Sequence, residues 1–270
     1  MRLRIVDAFT EEPFGGNPAA VLMLDESPPS DWMAAVARET NLPNTAFVIR
    51  ESPTDADLRL RWFTRGAVEI DLCGHATLAA AHCVFEDATG RAIRFATRSG
   101  VLTVNRRDDG PLAIDFPACP PAEIAPPDRL HEALGKPVGW TGLSANNYLL
   151  ALAADERAIR ELNPAIGRVA QLSADVVIVS APADPTSPYD FVSRVFAPKV
   201  GIDEDHVTGS AYTVLTPYWA DRLGQRALLG LQASARSGVV GVELTGDRVT
   251  ITGRAVTVLD GDLRSAAQPN

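Results

Sequence analysis

The 270-residue sequence predicts an α+β fold of two similar lobes, each a barrel-like sheet wrapped around a central helix. Three observations carry this expectation. One motif occurs twice, as Asp71-Leu72-Cys73-Gly74-His75-Ala76-Thr77 and as Asp205-His206-Val207-Thr208-Gly209-Ser210-Ala211. An arginine-led extended segment precedes each copy, Arg61-Trp62-Phe63-Thr64 in one and Arg194-Val195-Phe196-Ala197 in the other. Each glycine then opens a small-residue helical pattern, Gly74 to Phe85 and Gly209 to Trp219, that runs into strand-like segments with a Ser-Gly pair at Ser99-Gly100 or Ser237-Gly238. Shared order and spacing over roughly forty residues point to an internal duplication.

In chain order, Leu3 to Phe9 and Ala19 to Leu24 read as strands, separated by turn residues. Ser30 is placed to cap a helix through Ala37, with Trp32 and Val36 on its apolar stripe. Thr45 to Arg50 and Leu58 to Thr64 read as paired strands, the second alternating Leu58, Leu60 and Trp62 against Arg59 and Arg61. After the Gly74 helix, strands are expected at Ile93 to Ala96, Val101 to Asn105 and Leu112 to Phe116. Five prolines between Pro117 and Pro127 exclude a regular helix or central strand there, so the lobes are expected to be 1–118 and 119–270, with the last strand able to pack back on the first lobe.

The second half repeats the plan. Tyr148 to Leu152 reads as a strand, and Asp155 as the cap of a helix over Glu156 to Leu162. Val176 to Ser180 and Asp190 to Phe196 are strands, and the Gly209 helix carries Pro217 in its interior, where a kink is expected. Short strands are expected next at Leu231 to Ala235, Val239 to Leu244, Arg248 to Ile251 and Ala255 to Leu259, with a frayed end from Ser265.

Composition sets limits on function. Hydrophobic residues make up 46% and charged residues 22%, the balance of an ordinary globular chain. The net charge of -9, spread rather than in blocks, argues against nucleic acid or an anionic membrane as the main partner. Three cysteines, Cys73, Cys83 and Cys119, imply no disulfide framework. With no signal-like segment and no apolar run of membrane-spanning length, a cytosolic protein is expected.

A glycine that opens a helix presents backbone N–H groups suited to a carboxylate or a developing oxyanion. Two such starts facing each other would hold one small anionic substrate, with Gly74, Gly209 and Ser210 binding its carboxylate. Each start alone reads as a helix packed for stability, and it is the pair that points to a site. Asp205 is a candidate base or acid beside the second start, or else a solvated member of Asp203-Glu204-Asp205. His75 is a candidate proton donor or substrate-orienting ring, or else a structural histidine. His82 lies on the same helical face, yet no third ligand has a useful spacing, so no metal is expected. Paired thiols before the two glycines would suit a two-base racemase, and Thr208 at the second place excludes that pairing with Cys73.

These residues resemble the PhzF-like family of isomerases and epimerases, which shares its two-lobed fold with diaminopimelate epimerase and proline racemase. The resemblance rests on Val6-Asp7-Ala8-Phe9-Thr10, Gly16-Asn17-Pro18-Ala19-Ala20-Val21, Asn41-Leu42 with Thr45-Ala46-Phe47, and Leu60-Arg61-Trp62-Phe63-Thr64. It continues through both glycine motifs and Pro217-Tyr218-Trp219. It implies cofactor-free proton movement on a small carboxylate-bearing molecule held between the lobes, and frequently a homodimer. His75 and Asp205 would be polar groups at the reacting centre. One departure stands out: the family's usual general-base Glu is replaced by Asn44, whose amide binds an oxygen but takes no proton from carbon near neutral pH. His206 and Tyr212 also depart from the family's frequent Pro and His. The expected function is therefore an isomerase using Asp205 and His75. The alternatives are a carboxylate-binding protein that has lost its base, or a double-bond isomerase acting on a cyclic amino-acid precursor.

Overall fold

The computed structural model describes residues 1–51 and 55–264; the frayed end expected from Ser265 lies outside these residues. Two compact units divide the chain, one of Met1–Asp115 with the chain from Thr252 onward, the other Phe116–Ile251.

In the first unit, β1 (Arg2–Ala8) runs antiparallel to β2 (Asn17–Leu24), and β2 lies parallel to β3 (Asn44–Ile49). Helix α1 (Ser30–Thr40) makes the crossover that a parallel pair requires. Next come β4 (Leu58–Thr64), antiparallel to β3, and the two-residue β5 (Glu69–Ile70), antiparallel to β4. Helix α2 (Gly74–Asp87) comes after it, and β6 (Ala92–Thr97) then returns parallel to β4. β7 (Gly100–Arg106) and β8 (Leu112–Pro117) add antiparallel neighbours.

The two-residue period of these strands sorts side chains onto two faces. Leu22, Leu24, Phe47, Ile49 and Phe63 pack against Met33, Val36 and Ala37 of α1. The alternating set, which includes Val21, Ala46, Val48, Leu60 and Trp62, is also buried, and α2 touches β1, β2, β3 and the last strand, β18 (Ala255–Asp262). α2 buries residues all around its circumference, among them Ala76, Leu78, Ala79, Ala80, Ala81 and Cys83. A helix apolar on every side belongs inside a core. Its run of alanines lets the surrounding strands approach closely.

The second unit repeats this order. β9 (Ala122–Glu123), α3 (Leu130–Leu134) and β10 (Trp140–Leu143) lead to β11 (Tyr148–Leu152), antiparallel to β10. Helices α4 (Glu156–Arg160) and α5 (Ile166–Val169) cross over to β12 (Val176–Pro182), parallel to β11. β13 (Phe191–Ala197) and β14 (Ile202–Asp205) continue antiparallel. A 3₁₀ turn, Gly209–Ala211, opens α6 (Tyr212–Leu223). β15 (Ala227–Gln232) then lies parallel to β13 and antiparallel to β16 (Gly238–Thr245), with β17 (Arg248–Gly253) after it. Finally β18 pairs antiparallel with β1, the place that β9 takes beside β10. Each unit is thus a curled sheet around one glycine-led helix, as the duplicated motif predicts.

Some local expectations change. Ser30 is not a cap: Pro29 holds the cap position, and the Ser30 hydroxyl accepts a hydrogen bond from Arg61 Nη2 at 2.7 Å. Asp155 does cap α4, accepting from the Ala158 N–H at 2.7 Å. The strand expected at 231–235 lies earlier and ends at Gln232. Beyond it the chain turns, and there Ser237 adopts φ 59° and donates its N–H to Ser234 Oγ. The second glycine helix opens with a 3₁₀ turn rather than α-helix and runs past Trp219 to Leu223. Pro217 inside it has no N–H to give the carbonyl four residues back. That carbonyl, Thr213 O, accepts instead from the Cys119 N–H at 2.9 Å.

Candidate functional site

Asn44, Gly74 and His75 belong to the first unit, and Asp205, Gly209 and Ser210 to the second. Asn44 opens β3, opposite Ala19 of β2 and Thr64 of β4, and is only 4% exposed. It stands two positions before Ala46 on the strand, so its side chain shares the face of the sheet opposite α1.

His75, 6% exposed, is the second residue of α2, and Cys73 occupies the cap position with extended backbone. The hydroxyl and N–H of Thr77 both go to the Cys73 carbonyl, at 2.6 and 3.0 Å. Asn17 Nδ2 lies 3.3 Å from His75 Nδ1, and Cys73 Sγ lies 3.7 Å from the same nitrogen. Amide N–H and thiol S–H are both donors, so Nδ1 of a neutral ring accepts and the proton sits on Nε2. The ring is thereby set to donate from Nε2.

In the second unit, Asp205 ends β14 and Thr208 stands three residues on, before Gly209. Thr208 Oγ1 donates to Asp205 Oδ2 at 2.6 Å. Gln232, fully buried at the end of β15, accepts from the Thr208 N–H at 2.8 Å through Oε1 and donates through Nε2 to the Asp205 carbonyl at 2.8 Å. Ser210 Oγ lies 3.1 Å from the Tyr148 hydroxyl at the start of β11. Tyr212 is buried beside Phe191, and burial pushes its phenol well above the ordinary tyrosine range. It stays neutral at physiological pH.

The structure therefore joins His75 with Cys73 and Asn17, Asp205 with Thr208 and Gln232, and Ser210 with Tyr148. Asn17, Gln232 and Tyr148 escape a reading of the sequence as site neighbours. Asn17 sits inside the Gly16–Val21 segment of the resemblance, which is a usable signal. Gln232 lies 24 residues after Thr208 and has none. Among the described residues no three His, Cys, Asp or Glu side chains group as metal ligands. No described helix is long and apolar enough to cross a membrane.

A family model described as phenazine biosynthesis-like protein matches residues 6–261. The chain belongs to this family. Its PhzF-like relatives include an uncharacterized isomerase of Pseudomonas aeruginosa, 47% identical over 261 residues and covering 96% of this chain and 97% of that protein. An uncharacterized isomerase of Halalkalibacterium halodurans is 42% identical over 263 residues, covering 96% and 97%. Among solved structures, a PhzF-family protein of Enterococcus faecalis superposes with a TM-score of 0.92 at 37% identity, covering 98% of this chain and 99% of that one. The doubled sheet-and-helix plan is thus the PhzF fold, and the family is one of isomerase-type proteins.

Proposed function

We propose that the chain is a cofactor-independent isomerase that moves a proton on a small carboxylate-bearing metabolite. Asp205 carries the reading: its carboxylate accepts a 2.6 Å hydrogen bond from Thr208, directly before a glycine-led helix start, in a chain whose relatives are named isomerases. A hydrogen bond donated to the charged form favours ionisation, which is the state a base needs.

In this mechanism the N–H groups at the Gly209 turn, with the Ser210 hydroxyl, take the substrate carboxylate. Asp205 removes a proton from the adjacent carbon, and the electron pair passes into the carboxylate-conjugated system. Asp205 then delivers the proton, exchanged with solvent while the carboxyl holds it, to the accepting carbon, so the product is an isomer. The base contributes roughly 10²- to 10⁴-fold and oriented donors a comparable factor.

The test is turnover of candidate carboxylates in deuterated water. Deuterium is expected at the product carbon, with kcat falling roughly 10²- to 10⁴-fold in Asp205→Asn. Full activity in Asp205→Asn with unlabelled product would sink the proposal.

A second reading is favoured by the neutral amide at position 44, where the resemblance places a Glu: the chain binds a small carboxylate without turnover. Calorimetric binding by the parent without reaction, and activity gained on Asn44→Glu, would select it.

A further inference from the structure

We infer that Thr208, held by Gln232, is the positioning residue that keeps Asp205 ionised and aimed. The inference rests on the reading of Asp205 as the base. Thr208 Oγ1 has one proton to give, and the Gln232 contacts decide where it goes. Gln232 Nε2 donates to Thr208 Oγ1 at 3.3 Å as well as to the Asp205 carbonyl at 2.8 Å. With its lone pair so engaged, the hydroxyl directs its proton to Asp205 Oδ2. The amide oxygen of Gln232 meanwhile fixes the Thr208 N–H at 2.8 Å. One side chain thus ties both ends of the 205–208 turn and sets the polarity of the hydrogen bond that the carboxylate receives.

Gln232 itself is held without freedom to flip. It is fully buried and in register with Gly238 on β16 and Ser193 on β13. Reversing its amide would place N–H against the Thr208 N–H and carbonyl oxygen against the Asp205 carbonyl, two repulsive contacts in a low-dielectric setting. Next to it, Ser234 Oγ donates to the His206 carbonyl at 2.7 Å, a further tie to the same turn. A glutamine with no bearing on the carboxylate would be satisfied by the two backbone contacts alone. The third, to the hydroxyl, links it to Asp205.

The experiment tracks the side-chain carbons of Asp in the full chain, labelled with carbon-13, as pH is varied, with the Asp205 signal assigned from Asp205→Asn. In Thr208→Val the Asp205 signal is expected to titrate at higher pH than in the parent, and Thr208→Ser is expected to restore the parent curve. Gln232→Met should move it in the same direction by less. If Thr208→Val does not fold, Thr208→Ala removes the same hydroxyl with less bulk. Parent and hydroxyl-deleted curves that superimpose would overturn the inference. Because this readout needs no substrate, it stands apart from the deuterium experiment: a shifted curve together with an active Asp205→Asn refutes the base, not the hydrogen bond.

Discussion

Arg194 grips Glu204 through two parallel hydrogen bonds, Nε to Oε1 at 2.7 Å and Nη2 to Oε2 at 2.8 Å. Arg61 grips Glu69 with the same atoms at the same two lengths. Each guanidinium also lies over a phenylalanine two residues along its strand, Phe196 at 5.3 Å and Phe63 at 5.4 Å. The duplication therefore extends from helix starts to the clasp on the hairpin that feeds each of them. Arg194 adds a hydrogen bond from Nη1 to the Leu162 carbonyl at 2.7 Å, just beyond α4.

Removing one partner of such a half-buried pair leaves the other charge uncompensated. Arg194→Met is expected to lower stability by about 2–4 kcal/mol, measured by urea unfolding. Arg194→Lys should recover only part, because an ammonium is a point charge and cannot fork onto both oxygens. Equal stability of the parent and Arg194→Met would show the clasp to be ornamental.

His82 gives the first unit a pH dependence. Its ring nitrogen Nε2 lies 3.0 Å from Thr257 Oγ1 of β18 and 3.3 Å from Glu86 of α2, with Arg4 of β1 also acting on it. Burial, the largest influence, pushes the imidazole below its ordinary 6.5, while Glu86 pulls the other way and Arg4 adds to the lowering. The folded state then binds fewer protons than the unfolded chain, so stability falls as pH falls. The contribution is complete above about 6.5 and is lost on acidification through the folded value. Urea midpoints measured from about pH 7.5 to about 5.5 should decline, and His82→Gln should flatten that decline. Glu69, held below the usual carboxylate range chiefly by its hydrogen bond from Arg61, loses its contribution in a separate window below 4.5.

How far the sequence reaches can be judged from these residues. Asp155 is legible as a cap because everything it needs lies within three residues. Ser30 is misread because Arg61, 31 residues away, takes its hydroxyl. The two-residue β5 and β9 and the four-residue β10 and β14 are too short for any periodicity to register. On the site side, the paired glycine turns are visible as a repeat. The chemistry around them is not, since Gln232 reaches Asp205 and Thr208 only after β15 has been laid beside β13. The sequence names the carboxylate; the sheet decides what donates to it.

Gly230 of β15 owes its role to that placement. An Ala227-Leu228-Leu229-Gly230-Leu231 run suits helix and strand alike, and its glycine looks like a weakness in either. In the fold, a Cβ on Gly230 would stand 2.6 Å from Phe191 Cζ and 2.9 Å from Tyr212 Cε1. Neither ring can retreat easily: Phe191 is stacked on Trp219 with planes 8° apart and centroids at 5.7 Å, and Phe191 and Tyr212 are both fully buried. Gly230 is the space into which the first turn of α6 settles. Gly230→Ala is therefore expected to cost about 1–3 kcal/mol by overpacking, read from urea unfolding. It should also disturb the near-ultraviolet signal of Tyr212 and Trp219. A Phe191→Leu change in the same chain should return part of that loss by vacating the clashing ring atoms, a coupling that independent sites would not display.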